Sequence, residues 1–266
     1  MRTPAILLVD IGNSRAKWAS FDAGTLGTQA AASHDTWSVT DWRGEIERLG
    51  AKRVVAASVA APAARATLVE ASRQAIGSEP EFVEATAEAA GVRNGYSNPA
   101  QLGVDRWLAI IGAFHRQRAA TCVIDVGTAM TVDAVNDTGV HLGGFIVPGP
   151  RLMVSVLLTG TSDLAGRASW ASMTDPTWFA INTRDAIEKG CRIALARLAE
   201  DALRRLPAHA GAKPRLQLTG GDAELLLPWL DVEVDLVPDL VLQGLARLVE
   251  SGQIPRAGSP SGPSPG

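Results

Sequence analysis

Hydrophobic and polar positions along the chain follow two rhythms. Residues 5–9 form a continuous apolar run that stops at Asp10, with Gly12-Asn13-Ser14 behind it. A short apolar block bounded by turn formers predicts a fully buried strand. Residues 15–21 then alternate, with Ala16, Trp18 and Ser20 on one face, as a returning hairpin strand does. Residues 53–59 read as a further strand. Residues 42–49 read as a short helix, and a longer one runs over 62–75, with Pro62 well placed at a first helical position. A loop rich in turn formers spans 93–99, and apolar residues at helical spacing predict a helix over 106–118. Strands are expected over 121–126, 131–135 and 140–147, a long amphipathic helix over 186–206, strands at 216–218 and 232–236, and a closing helix over 240–249.

The pattern repeats. Val9-Asp10-Ile11-Gly12-Asn13-Ser14 near the start recurs as Ile124-Asp125-Val126-Gly127-Thr128-Ala129 in the second half. Each copy follows an apolar run and precedes an alternating strand, which predicts two similar α/β halves. One Asp-x-Gly is an ordinary hairpin turn. A repeated pair points further. Glycine brings backbone N–H groups close to an anion, and Asn13, Ser14 and Thr128 add neutral donors. A carboxylate repels phosphate directly, but it can hold a cation that bridges to phosphate.

Gly103-Val104-Asp105-Arg106 opens a predicted helix. Asp105 there either complements the helix N-terminus or accepts the proton of an attacking hydroxyl, with Arg106 gripping an anionic group. Tyr96, the one tyrosine of the chain, lies shortly upstream as a rim aromatic or a substrate wall. Two glycine-rich segments remain, residues 143–149 and 218–222. The first suits close backbone approach and a sharp exit. The second is either a plain strand-to-helix turn or a platform for a nucleoside.

Composition narrows the function classes. Lys and Arg total 25 against 28 Asp and Glu, a net charge of −3, which argues against a nucleic-acid-binding surface. No stretch approaches the roughly 18–20 consecutive apolar residues of a spanning helix. The five-residue apolar run after Met1-Arg2-Thr3-Pro4 is too short for a secretory leader, so the expectation is a cytoplasmic protein that binds no membrane. Cys122 and Cys191 stand alone, with neither a metal-binding spacing nor a disulfide framework. From residue 251 the composition becomes Ser, Pro and Gly, which predicts a disordered tail over 253–266.

Together these motifs resemble the actin, sugar-kinase and acetate-kinase superfamily. Within it, they are similar to the type III pantothenate kinase family. The residues that carry the likeness are Asp10 to Ser14, Tyr96, Gly103 to Arg106, Asp125 to Asp133, Gly143 to Gly149 and Pro238 to Leu245, in that order along the chain. The resemblance implies two related actin- or ribonuclease-H-like domains, each a mixed sheet flanked by helices, with the active site in the cleft between them. The halves are expected over 1–117 and 118–252. The implied reaction is ATP-dependent phosphorylation of pantothenate to 4'-phosphopantothenate, the first step of coenzyme A biosynthesis.

Residue by residue, the likeness implies a first phosphate loop of Asp10, Ile11, Gly12, Asn13, Ser14, Arg15, Ala16 and Lys17, with Asp10 organising Mg²⁺ at the ATP phosphates. Asp105 is implied as general base. Tyr96, Gly103, Val104 and Arg106 are implied to hold pantothenate, Thr128 to contact ATP, and Asp125 to bind K⁺ or NH₄⁺. Thr183 matches a contact supplied by the second subunit of a homodimer, and Thr183 and Asn182 are equal candidates to cap the helix that follows. Competing readings are another small-molecule kinase or phosphatase of the superfamily, or a non-catalytic regulatory accessory protein.

Overall fold

A computed structural model describes residues 5–34, 36–160, 178–206 and 213–254. The expected tail lies outside the described residues from 255 onward. The chain divides into two compact units. One comprises Met1–Arg118, Gly139–His141 and Asp239–Gly266; the other comprises Ala119–Thr138 and Leu142–Pro238.

The first unit opens with β1 (Ile6–Ile11) and β2 (Arg15–Asp22), followed by β3 (Thr25–Leu26), β4 (Ala30–Ser33), α1 (Val39–Leu49), β5 (Arg53–Ser58), α2 (Pro62–Ile76) and β6 (Glu81–Phe82). A small hairpin, β7 (Glu88–Ala89) with β8 (Val92–Arg93), precedes α3 (Val104–Gln117). The main sheet has the order β3-β2-β1-β5-β6, and β4 also pairs with β2. Strand β1 is antiparallel to β2 and parallel to β5. It is covered on both faces, which is why its sequence is a continuous apolar run rather than an alternation. Leu7, Val9 and Ile11 join Trp18, Trp42, Ile46, Val54 and Leu68 in one core.

Helix α1 starts earlier than its apolar spacing suggested. Ser38 and Asp41 form a reciprocal capping box: Asp41 N–H donates to Ser38 Oγ at 3.3 Å, and Ser38 N–H donates to Asp41 Oδ2 at 2.8 Å. Trp18 and Trp42 pack edge-on with ring centroids 4.9 Å apart, and Trp37 closes the cluster.

The second unit contains β9 (Thr121–Val126), β10 (Ala129–Val135), β11 (His141–Pro148), α4 (Pro150–Gly160), α5 (Thr183–Arg205), β12 (Arg215–Thr219) and β13 (Val234–Leu236). Its sheet order is β11-β10-β9-β12-β13, with β9 antiparallel to β10 and parallel to β12. Counted from each unit's own first strand, the second sheet reads third, second, first, fourth, fifth, and the first reads third, second, first, fifth, sixth, its fourth strand being the added β4 beside β2. The repeat seen in the sequence is therefore a repeat of topology. Apolar residues of alternate positions, Cys122, Ile124 and Val126 with Leu216 and Leu218, pack under Leu195 and Ala199 of α5.

The last helix, α6 (Leu240–Ser251), belongs to the first unit, although linear order placed it in the second half. The reason is close packing against α3. A Cβ on Gly244 would stand 1.9 Å from the Leu108 carbonyl oxygen, and one on Gly112 would stand 2.5 Å from the Leu240 carbonyl oxygen. Only glycine at both places allows the backbones to approach this closely. Gly244→Ala is expected to lower stability by about 1–3 kcal/mol or more, as overpacking does, read as a lower urea midpoint; an unchanged midpoint would contradict this packing.

Candidate active site

The first hairpin turns at the end of β1. Gly12 N–H donates to the Arg15 carbonyl at 3.0 Å, and Val59 N–H donates to the Ile11 carbonyl at 3.0 Å, so both sides of the strand end are tied. Asp10 is buried and lies opposite Lys17 in register, so the two side chains share a face of the sheet. Asn13, Ser14 and Arg15 are at the exposed or half-exposed tip, and Ala16 is buried as β2 begins. A carboxylate is held deep at the strand end, and the turn residues beyond it are at the surface.

The second hairpin is one residue tighter. Gly127 N–H donates to the Ala129 carbonyl at 2.9 Å, and Asp125 pairs with Thr131 on one side and Thr219 on the other. Gly149 N–H donates to the Thr128 carbonyl at 2.9 Å, which anchors the turn residue from behind. Gly220 has φ of +100°, and a Cβ there would lie 2.5 Å from Asp125 Oδ1 and 2.3 Å from the Val126 carbonyl oxygen. The glycine after β12 is thus required by the Asp125 strand end itself. Asp222 N–H donates to the Val126 carbonyl at 2.9 Å, and Arg151 Nε meets Asp222 Oδ1 at 2.8 Å.

Tyr96, Asp105 and Arg106 are brought together. Gly103 is the N-cap of α3 and makes no side-chain capping bond, so Asp105 sits in the first turn beside the positive end of the helix. Its Oδ1 accepts from Arg106 N–H at 2.8 Å. Gly103 takes the N-cap position, and Asp105 in the first turn complements the helix N-terminus. Arg106 is only 6% exposed, and its Nη1 donates to the Tyr96 hydroxyl at 3.0 Å. Val104 is buried beneath them.

Two side chains that support this group are not visible as functional in the sequence. Asn94 is buried; its amide donates to the carbonyls of Thr86 at 3.2 Å and Pro99 at 3.3 Å, while its Oδ1 accepts from Tyr96 N–H at 3.0 Å. His141 stacks on the Tyr96 ring at 5.8 Å, nearly parallel. A lone histidine carries no pattern, and the asparagine reads as one turn former among several.

Thr183 is the first residue of α5, and the cap is Asn182, whose Oδ1 accepts from Asp185 N–H at 2.9 Å. Of the two equal capping candidates, the structure selects Asn182. Thr183 lines an open apolar cleft of about 510 Å³ with Met153, Leu157, Ala186, Ile187 and Cys191.

Among the described residues no group of three or more His, Cys, Asp or Glu side chains could hold a metal ion unaided. Each hairpin carries one aspartate near its strand end, Asp10 and Asp125. Mg²⁺ commonly takes one or two carboxylates and completes its shell with phosphate oxygens and water. At the second hairpin, Thr219 Oγ1 is buried and makes no hydrogen bond, in register beside Asp125. A hydroxyl and a carboxylate are hard oxygen donors of the kind an alkali cation takes.

The two units share one α/β fold with solved structures of low sequence identity. A putative 2-dehydro-3-deoxygalactonokinase from Sinorhizobium meliloti superposes with a TM-score of 0.54 at 14% identity, covering 93% of this chain and 98% of that one. The sequence goes further. Residues 6–205 match the family model of type III pantothenate kinase. A type III pantothenate kinase from Thiobacillus denitrificans is 38% identical over 247 residues, 92% of this chain and 97% of the relative. Another, from Alkalilimnicola ehrlichii, is 42% identical over 257 residues, 94% of this chain and 100% of the relative. The chain belongs to the type III pantothenate kinase family. That family's activity is phosphorylation of pantothenate, with ATP as co-substrate. Among the described residues no helix is long and apolar enough to cross a membrane.

Both cysteines are free and buried. Burial, with a smaller contribution from the Asp133 carboxylate, pushes the Cys122 thiol up to about 12, and burial also raises that of Cys191. Both therefore stay protonated at mildly alkaline pH, where the thiolate is the reactive form. Neither is expected to react with a colorimetric disulfide reagent in the native protein, and both are expected to react after unfolding in guanidinium. Rapid labelling of the native protein would contradict this burial.

Proposed function

We propose that the chain transfers the γ-phosphoryl group of ATP in line to the primary hydroxyl of pantothenate, with Asp105 as the general base. The observation that carries this reading is the assembly of Tyr96, Asp105 and Arg106 at the start of α3 in a chain of this family. The hydroxyl proton passes to the Asp105 carboxylate as oxygen attacks phosphorus. The bond from phosphorus to the bridging oxygen of ADP breaks, and ADP leaves with its electron pair. Arg106, aimed by Tyr96, holds the anionic end of pantothenate, while Gly103 and Val104 shape the backbone around it. Phosphoryl transfer needs mainly position and charge neutralisation.

The amides of the Asp10-to-Lys17 loop and Thr128 hold the ATP phosphates, and Thr219 to Asp222 offers a flat backbone seat for the nucleoside. Asp10 would hold Mg²⁺, and Asp125 with Thr219 would hold K⁺ or NH₄⁺. When bound, these cations neutralise phosphate charge. The working molecule is a homodimer of the cytoplasm, with Thr183 reaching the pantothenate site of its partner. Phe145 and Ile146 on β11 and Val156 on α4 are 49%, 62% and 56% exposed, apolar surface of the kind a partner covers.

The decisive experiment is ATP-dependent phosphorylation of pantothenate by the purified protein, followed by mass spectrometry of the product. Asp105→Asn is expected to lower kcat by about 10²–10⁴-fold, the usual contribution of a general base, with an unchanged melting temperature. Wild-type turnover in that variant removes the assigned base. Turnover is also expected to require K⁺ or NH₄⁺ and to weaken sharply in Asp125→Ala. Equal rates in buffers containing only Na⁺ would contradict the cation at Asp125.

A further inference from the structure

The two hairpin loops are held in different ways. In the second, the Gly127–Thr128 region is braced by backbone: Gly149 N–H donates to the Thr128 carbonyl, and a Cβ on Gly149 would stand 2.0 Å from the Gly127 carbonyl oxygen. In the first, the Gly12 carbonyl is held by a side chain. His34 Nε2 lies 2.6 Å from the Gly12 carbonyl oxygen. A carbonyl only accepts, so Nε2 carries the proton and donates. Strand β4 explains how the ring arrives there. Its register pairs Ser33 with Arg15, the last residue of the loop, and the next residue, His34, reaches back over the turn.

The bond has a consequence for the neighbouring amide. The Gly12 carbonyl and the Asn13 N–H belong to one peptide plane, and among the described residues no peptide bond is cis. In a trans peptide the two groups point in opposite directions. Holding the carbonyl toward His34 therefore aims the Asn13 N–H the opposite way. Glycine allows this peptide to rotate more freely than any other residue would. Without a partner for the carbonyl, the Gly12–Asn13 plane has several orientations available, and only some present the amide to a phosphate oxygen.

We infer that His34 is a positioning residue for the ATP phosphates: its Nε2–H pins the Gly12 carbonyl and so pre-aims the Asn13 amide of the first phosphate loop. The inference rests on the proposed role of residues 10–17 in holding ATP. His34 touches neither ATP nor pantothenate in this role; it acts through one peptide plane. Pre-organisation of this kind lowers the ordering cost of binding, and its loss appears in nucleotide affinity.

The test compares three substitutions. His34→Phe keeps a ring but removes the donor, His34→Ala removes both, and His34→Gln restores an N–H at a similar reach. Calorimetry with a magnesium complex of a non-hydrolysable ATP analogue measures affinity without turnover. Steady-state kinetics separates the KM for ATP from that for pantothenate. His34→Phe and His34→Ala are expected to weaken nucleotide binding about three- to tenfold, the range of one lost neutral hydrogen bond, and to raise the KM for ATP in parallel. The KM for pantothenate is expected to stay within about twofold, and His34→Gln is expected to restore most of the affinity. Nitrogen NMR of the unsubstituted protein is expected to show neutral His34 as the Nε2–H tautomer.

Unchanged nucleotide affinity in His34→Phe overturns the inference, as does equal loss in the Gln and Phe variants or an Nδ1–H tautomer. If the unsubstituted chain binds no nucleotide, the phosphate-loop reading fails and the inference with it. If nucleotide binds and only the His34 variants are silent, the phosphate loop stands and His34 alone is excluded.

Discussion

Each sheet depends on one strand that is hydrogen-bonded on both sides and covered on both faces. In the first unit it is β1, between antiparallel β2 and parallel β5. In the second it is β9, between β10 and β12. A strand so enclosed has little freedom to shift, because a slip would break its hydrogen-bond register with both neighbours and disrupt close packing on both faces. Its last carboxylate is therefore held at a defined depth. Asp10 and Asp125 inherit their positions from this enclosure, and the turns beyond them are built on a rigid base.

Close backbone approach is the second organising constraint. Gly220 follows β12 with a left-handed conformation because any side chain there would enter the space of Asp125 and Val126. Gly112 and Gly244 let α3 and α6 meet at backbone distance. That contact matters for the site because α3 carries Asp105 and Arg106 in its first turn. A helix seated this firmly holds its N-terminal side chains still. The Asn94 hydrogen bonds do the same for the loop that carries Tyr96.

The two hairpins show how a repeat diverges. Apart from β4, added beside β2 in the first unit, the sheet order is the same in both units, and each turn follows an aspartate. The loops differ by one residue and in what secures them, a histidine side chain in one and a glycine backbone in the other. A backbone brace tolerates little change. A side-chain brace places the aim of the loop under the control of a single residue.

Much of this was legible in the amino-acid sequence. The apolar runs ending in Asp-x-Gly marked β1 and β9, and the recurrence of the motif marked the duplication, because a strand buried on both faces demands continuous hydrophobicity. The grouping of Tyr96 with Asp105 and Arg106 was likewise visible, since those residues lie close together along the chain. Helix starts were less legible: the capping box of Ser38 and Asp41 begins α1 before its apolar stripe does. The sequence by itself determined the strands, the two turns and the identity of the carboxylates, all products of local pattern. Only the tertiary structure decided that α6 returns to the first unit, that Asn94 and His141 support Tyr96, and that His34 holds Gly12. Those relations join residues distant along the chain through packing and single hydrogen bonds, and neither leaves a periodic trace.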